Sequence, residues 1–287
     1  MDMKKTPYIT KEDYIGIKSR GLDFNKISKK HLKKDELEHF DFQKVLQLDA
    51  DEGGSFANYS SFAVWHDQSQ DALIEQKKSL ELLQDWDGLN NLGIRLRSDY
   101  VFLGVNAAAK GFDMRKDAGN ETFDHFEMFQ LRTIPNGEGQ QKGIPCAFKY
   151  QRAFINHDEE HKDFYNENIR GAYMTDFIKG LPTNYGNDID NYLKKISSEL
   201  NYTKEGYEDL FNRFANLFSE ILINELEVLG GRTHTLIVMG AKSGIVNNLV
   251  SRSGLDKKYK IKNIPHYSGS IKYDKIRAIL KEIINED

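Results

Sequence analysis

Three short segments carry residue types that could act on a bond. In FLGVNAAAKGF, residues 102–112, Asn106 follows Gly104 and Val105 and precedes Ala107, Ala108 and Ala109. Side chains this small let a backbone approach a ligand closely. The same residues also suit a tight turn with Asn106 as a helix N-cap. In GAYMTDFIKGLP, residues 171–182, Thr175 and Asp176 end an apolar run, and Lys179 and Pro182 follow. A carboxylate in that setting needs a partner or a purpose, and pairing with Lys179 or capping a helix would also satisfy it. In NIPHYSGSIK, residues 263–272, His266 and Ser268 stand beside Gly269. That histidine could donate a proton to a leaving group, or merely precede a loop.

The elements that must position these residues follow from the apolar pattern. YVFLG (100–104), GAYMTDFIKG (171–180) and TLIVMG (235–240) are short apolar runs that end in Gly, as buried parallel strands do. KYKIKNIPH (258–266) alternates apolar and polar residues, as an edge strand would. Residues 71–85 and 207–229 have helical spacing, the second with Leu210, Phe214, Leu217, Phe218, Ile221, Leu222 and Leu226 on one face. Strands alternating with helices predict an α/β fold with three layers, α/β/α, around a small sheet of about four mostly parallel strands. Ligands of such sheets bind beyond the carboxyl ends of the strands, where all three segments fall.

Residues 1–62 are polar and weakly periodic and read as a helical or extended arm, leaving 63–287 as the α/β domain. Residues 112–170 are too long for a plain crossover and read as an insertion over the first strand end. No internal repeat is visible, and the chain has five prolines.

Of the 287 residues, 39% are hydrophobic and 29% charged, enough for a core and a solvated surface. The one cysteine, Cys146, can form no intrachain disulfide. No run approaches the roughly 20 apolar residues of a membrane span, and the start lacks a signal-peptide pattern, so a cytoplasmic protein is expected. The formal net charge of −4 means that any nucleic-acid binding must come from local patches. One patch is Lys26, Lys29, Lys30, Lys33 and Lys34 around His31, which also suits a solvated helix face. The other runs from Lys242 to Arg277, with nine basic residues against Asp256 and Asp274, and includes the last candidate loop.

Taken in order, the three segments resemble the motifs of the uracil-DNA glycosylase superfamily. Gly104, Val105, Asn106 and Ala107 are similar to its first motif, closest to the mismatch-specific branch. Thr175, Asp176, Phe177, Ile178 and Lys179 resemble its middle strand end, and His266, Tyr267, Ser268 and Gly269 its last motif. Proline is absent after Asn106, Asp176 stands where an Asn reads uracil, and Ser270 stands at the place of a wedge Leu. The resemblance implies a uracil-DNA glycosylase-like fold and hydrolysis of an N-glycosidic bond in DNA, without a cofactor.

In that reaction Asn106 would position the water, His266 would donate to the departing base, and Asp176 would read the base edge. Backbone around Gly104, Val105 and Ala107 would hold the base or its phosphate. Thr175, Lys179, Ser268 and Gly269 would contact base or DNA. Phe112 would stack on the flipped base, with Phe123 and Phe126 as further candidates. An ionised Asp176 can only accept hydrogen bonds, so it suits a base with an amino group, such as a modified cytosine, or a deaminated purine presenting N–H groups.

No metal is expected. His157 and His161 share i, i+4 spacing with Asp158, Glu159 and Glu160 between them, yet Asp158 occupies the Glu place of HExxH, and a solvated acidic loop is the plainer reading. Two other readings remain open: a catalytically silent DNA- or nucleotide-binding member of the same fold, and a hydrolase of free nucleosides or nucleotides.

Overall fold

A computed structural model of the chain describes residues 6–20, 23–40, 54–64, 80–108, 126, 164–183, 187–240, 244–265 and 273–286. Five strands form one sheet: β1 (Ser60–Phe62), β2 (Arg97–Ala108), β3 (Ala172–Thr183), β4 (Thr235–Met239) and β5 (Lys260–Ile264), in the order β1-β3-β2-β4-β5. β2, β3, β4 and β5 run parallel, and β1 pairs antiparallel with β3 at one edge. Val101, Phe102 and Leu103 of β2 and Leu236, Ile237 and Val238 of β4 have no exposed surface. Continuous apolar runs at the centre are what a sheet covered on both faces requires.

Eight helices frame the sheet among the described residues. They are α1 (Lys11–Ser19), α2 (Phe24–His31), α3 (Lys34–Leu37), α4 (Trp86–Asn91), α5 (Asn187–Glu199), α6 (Lys204–Val228), α7 (Ile245–Arg252) and α8 (Tyr273–Asn285). The longest, α6, starts at Thr203, whose hydroxyl accepts from the Gly206 N–H, and its apolar stripe is fully buried from Leu210 to Leu222. Residues 80–84 are also helical; the rest of the helix expected over 71–85 lies outside the described residues, as does nearly all of the 112–170 insertion.

Register assigns the two faces. Leu103 pairs with Thr175 and with Val238, so these three side chains share one face, while Gly104 and Asp176 share the other. The Thr175 face meets α6 through Glu225. On the opposite face α8 docks at β5, where Glu286 pairs with Lys262 at 2.5 Å. The layered α/β architecture expected from the sequence is therefore present.

The stretch before β1 packs into the same core. Ile9 donates to the Leu96 carbonyl and Ser98 to the Pro7 carbonyl, which lays residues 7–9 along the start of β2. Tyr14, Ile17, Phe24, Leu32 and Phe40 are buried, and the Tyr14 hydroxyl donates to the Leu83 carbonyl at 2.7 Å. β1 itself has too few residues to leave a strand signature in the sequence.

α3 is fastened to α6 by a carboxylate. Glu36 has no exposed surface; it accepts from the Arg213 guanidinium, from the Tyr202 hydroxyl at 2.9 Å and from the Lys33 N–H at 2.8 Å. Burial alone would raise its pKa, but the hydrogen bonds from Arg213, Lys33 and Tyr202 and the Arg213 charge outweigh burial and hold it below the usual range. A carboxyl depressed on folding contributes stability that is present above its unfolded pKa, about 4.3, and lost as pH falls through its folded value. Glu36→Gln should therefore cost about 3 kcal/mol at neutral pH, and its deficit against wild type should shrink as urea unfolding is repeated at decreasing pH below about 4.3. Parallel stability curves for the two proteins across that acid range would refute the assignment.

Candidate functional site

The strand order places a topological switch point. From β2 the chain moves to β3 on one side, then crosses back to β4 and β5 on the other. Connections therefore diverge from the β2/β4 boundary, which is where open α/β sheets bind ligands. Pairing between β2 and β4 stops after Leu103 and Val238, whereas β2 stays paired with β3 as far as Ala108 and Thr183. Beyond Leu103 the sheet is open on that side, and the residues at the opening are Gly104, Val105, Asn106 and Ala107.

The other motif strands end at the same edge. Gly104 is in direct register with Asp176, and Asn106 with Ile178. β4 ends at Met239, and the Gly240 N–H donates to Ile264 O at 2.9 Å. β5 ends at Ile264, two residues before His266 in the chain. Gly104 and Asp176 are both buried, Asp176 at 2% exposure, and Val105 is half-buried against the core.

β3 bulges just beyond Asp176. Between the pairs Asn106–Ile178 and Ala108–Thr183, β3 advances five residues while β2 advances two. Gly180 supports this with φ at 75°, and a side chain there would stand 3.2 Å from the Phe24 ring. A bulge turns side chains away from simple alternation and is a common device beside active sites.

Under the bulge lies an enclosed charge pair. Lys179 Nζ is 2.8 Å from Glu225 Oε2, and neither side chain has exposed surface. Lys179 also donates to the Asp176 main-chain carbonyl at 2.6 Å. Glu225 Oε1 accepts from the Tyr173 and Thr175 hydroxyls, each at 2.8 Å, and Thr175 Oγ1 lies 3.4 Å from the Tyr59 carbonyl. Burial and then the Glu225 charge push the Tyr173 hydroxyl pKa well above its ordinary value, so it is a permanent donor here.

These contacts revise several expectations. Lys179 does not face a nucleic acid; its ammonium is enclosed by Glu225 and the Asp176 carbonyl. Thr175 likewise has its hydroxyl committed to Glu225. Phe126 cannot stack on a base: it is fully buried and packs against Phe62 and Tyr14 at ring separations of 5.4 and 5.6 Å. Phe112, Phe123, His266, Ser268 and Gly269 lie outside the described residues, as does the 157–161 cluster.

The basic stretch near the C-terminus is partly neutralised. Arg252 pairs with Glu208, Lys258 with Glu227 at 3.2 Å, Lys262 with Glu286, and Arg277 with Asp274. Lys242 and Lys272 lie outside the described residues. Counting charges along the chain missed these pairs because three of the four carboxylates belong to segments outside the stretch.

Glu225 and Tyr173 were not singled out from the sequence. The available signal was Glu225 itself, placed three and four residues after Leu222 and Ile221 on the apolar stripe of α6. Among the described residues no cluster of His, Cys, Asp and Glu could hold a metal ion, and no helix is long and apolar enough to cross a membrane.

Removing one member of an enclosed ion pair strands the other. Lys179→Met and Glu225→Leu should each cost about 3–5 kcal/mol in urea unfolding, while the two combined should cost less than the sum of the single losses. Simple additivity in that double-mutant cycle would show that the pair is not coupled.

No family model, curated protein or solved structure matches the chain, so the reading of this edge rests on its own residues and their geometry.

Proposed function

We propose that the chain is a DNA glycosylase that hydrolyses the N-glycosidic bond of a modified or deaminated base. The observation that supports this most directly is the opening between β2 and β4 at Gly104, with Asp176 in register beside it and Asn106 two residues further along β2. The reading extends the motif resemblance to a site where a base could enter between strand ends.

In the reaction, water held by the Asn106 amide adds to C1′ of the sugar as the bond from C1′ to the base nitrogen breaks. The bonding electrons leave with the base, His266 donates toward that developing charge, and the water proton passes to solvent. Asp176 sets the choice of base. An ionised carboxylate accepts from an amino or ring N–H group and repels a carbonyl, so bases presenting N–H groups at that point are favoured over uracil.

Purified protein should generate alkali-labile abasic sites in oligonucleotides carrying modified cytosine, hypoxanthine or xanthine. Asn106→Ala should lower the rate by about 100-fold or more. Asp176→Asn, which can both donate and accept, should shift preference toward uracil. Absence of abasic sites across the panel would sink the glycosylase reading, and efficient excision of uracil by wild type with no gain from Asp176→Asn would sink the base assignment alone.

A further inference from the structure

We infer that the outer face of α2 and the start of α3 form the docking surface for the phosphate backbone of the nucleic acid, in place of the basic stretch near the C-terminus. This inference rests on the glycosylase reading for the identity of the polyanion.

The surface is built on a fixed platform. Phe24 and Ser28 of α2 are buried, and His31 and Lys30 bind Glu220 of α6 at 2.7 and 2.5 Å. With that face inward, Lys26 and Lys29 fall at three-residue spacing on the outer face, Lys30 stands at its flank where it reaches Glu220, and Lys33 and Lys34 follow at the start of α3. All five lysines are exposed.

Position favours this face. α6 ends at Val228, and the Ser98 hydroxyl near the start of β2 is 3.4 Å from the Leu229 carbonyl, so the C-terminus of α6 lies at the amino ends of the strands. Phe218, further back along α6, packs near Phe177, late in β3. α2 begins with Phe24 against Gly180 of the bulge. The chain then meets α6 at Glu220 and, through Glu36, at Arg213. It therefore runs from the bulge outward past the carboxyl edge, on the α6 face and on the β3 side of the sheet.

Charge favours it as well. Lys30 shares Glu220 with His31, and Lys33 lies over the Tyr202 ring. No carboxylate among the described residues pairs with Lys26, Lys29 or Lys34. Of the neighbouring acids, Asp23 caps α2 and Glu36 is held by Arg213, while the exposed Asp35 and Glu38 follow Lys34 in α3 and just after it. In the C-terminal stretch Arg252, Lys258, Lys260, Lys262 and Arg277 have carboxylate partners, and Lys257 and Lys275 have none among the described residues.

The test is the variant Lys26→Gln/Lys29→Gln/Lys34→Gln, with its thermal melt as a folding control. Binding of a dye-labelled duplex and of the same single strand is followed by anisotropy from low to physiological salt. Each phosphate contact contributes about −0.9 to the slope of log K against log salt on duplex DNA, and about −0.7 on a single strand. Loss of three contacts should therefore flatten the duplex slope by about 2 to 3 and weaken low-salt binding at least tenfold, with the melt unchanged. Unchanged affinity and slope would overturn the inference, as would failure of wild type to bind either oligonucleotide. So would an anionic phosphatidylserine vesicle that binds wild type, but not the variant, in place of DNA. Abasic-site formation is scored separately: excision by wild type with full binding by the variant removes only this surface. Lysine-dependent binding without excision removes only the glycosylase reading.

Discussion

The enclosed pair of Lys179 and Glu225 is the constraint around which the described structure is arranged. Two charges without solvent are tolerated only when every remaining donor and acceptor is matched. Here the matching groups come from two elements: the Tyr173 and Thr175 hydroxyls and the Asp176 carbonyl from β3, and Glu225 from the last third of α6. An apolar core of similar volume would serve stability equally well. The pair instead fixes register. A slip of β3 by one residue would send Thr175 and Lys179 to the opposite face, strand Glu225 in the core, and carry Asp176 away from Gly104.

That fixed register passes outward through α6. Its inner face holds β3 through Glu225 and Phe218, and its flanks hold the N-terminal helices through Glu220 and Arg213. Gly16 of α1 comes close to Val228, and Phe40 stacks on Phe214 at 5.6 Å. One helix thus connects the strand that carries Asp176 to the segment that carries the basic row. The N-terminal chain and the sheet share one core, and the former reaches the sheet through β1 and through the bridge of Tyr8 to Arg97.

The fold was legible in the sequence where burial imposes a pattern. The central strands appear as apolar runs because both faces are covered, and α6 as a long stripe because one face is. β1 was not legible, since three residues cannot show an alternation. The candidate site was legible in its polar residues at strand ends, but not in their roles. Lys179 beside Asp176 looked like a partner for its carboxylate or a contact to DNA; alternation along β3 puts it on the face of Tyr173 and Thr175, toward a glutamate 46 residues away in sequence. Likewise, local charge counting favoured the C-terminal basic stretch because the carboxylates of α6 and of the chain end that neutralise it are remote or beyond the counted window.

The shortness of β1 has a consequence for how the molecule behaves in company. Among the described residues, pairing on that side runs from Gly171 to Thr175, so the later part of β3 would present backbone groups to another chain if it continued straight. The left-handed turn at Gly180 breaks the line, and the Phe24 ring closes over it. At the opposite border of the sheet β5 carries Lys260 and Lys262, both drawn to Glu286. Kinks, charges and covering side chains are the means by which sheets avoid recruiting strands from their neighbours. Such devices stand at both borders of this one among the described residues.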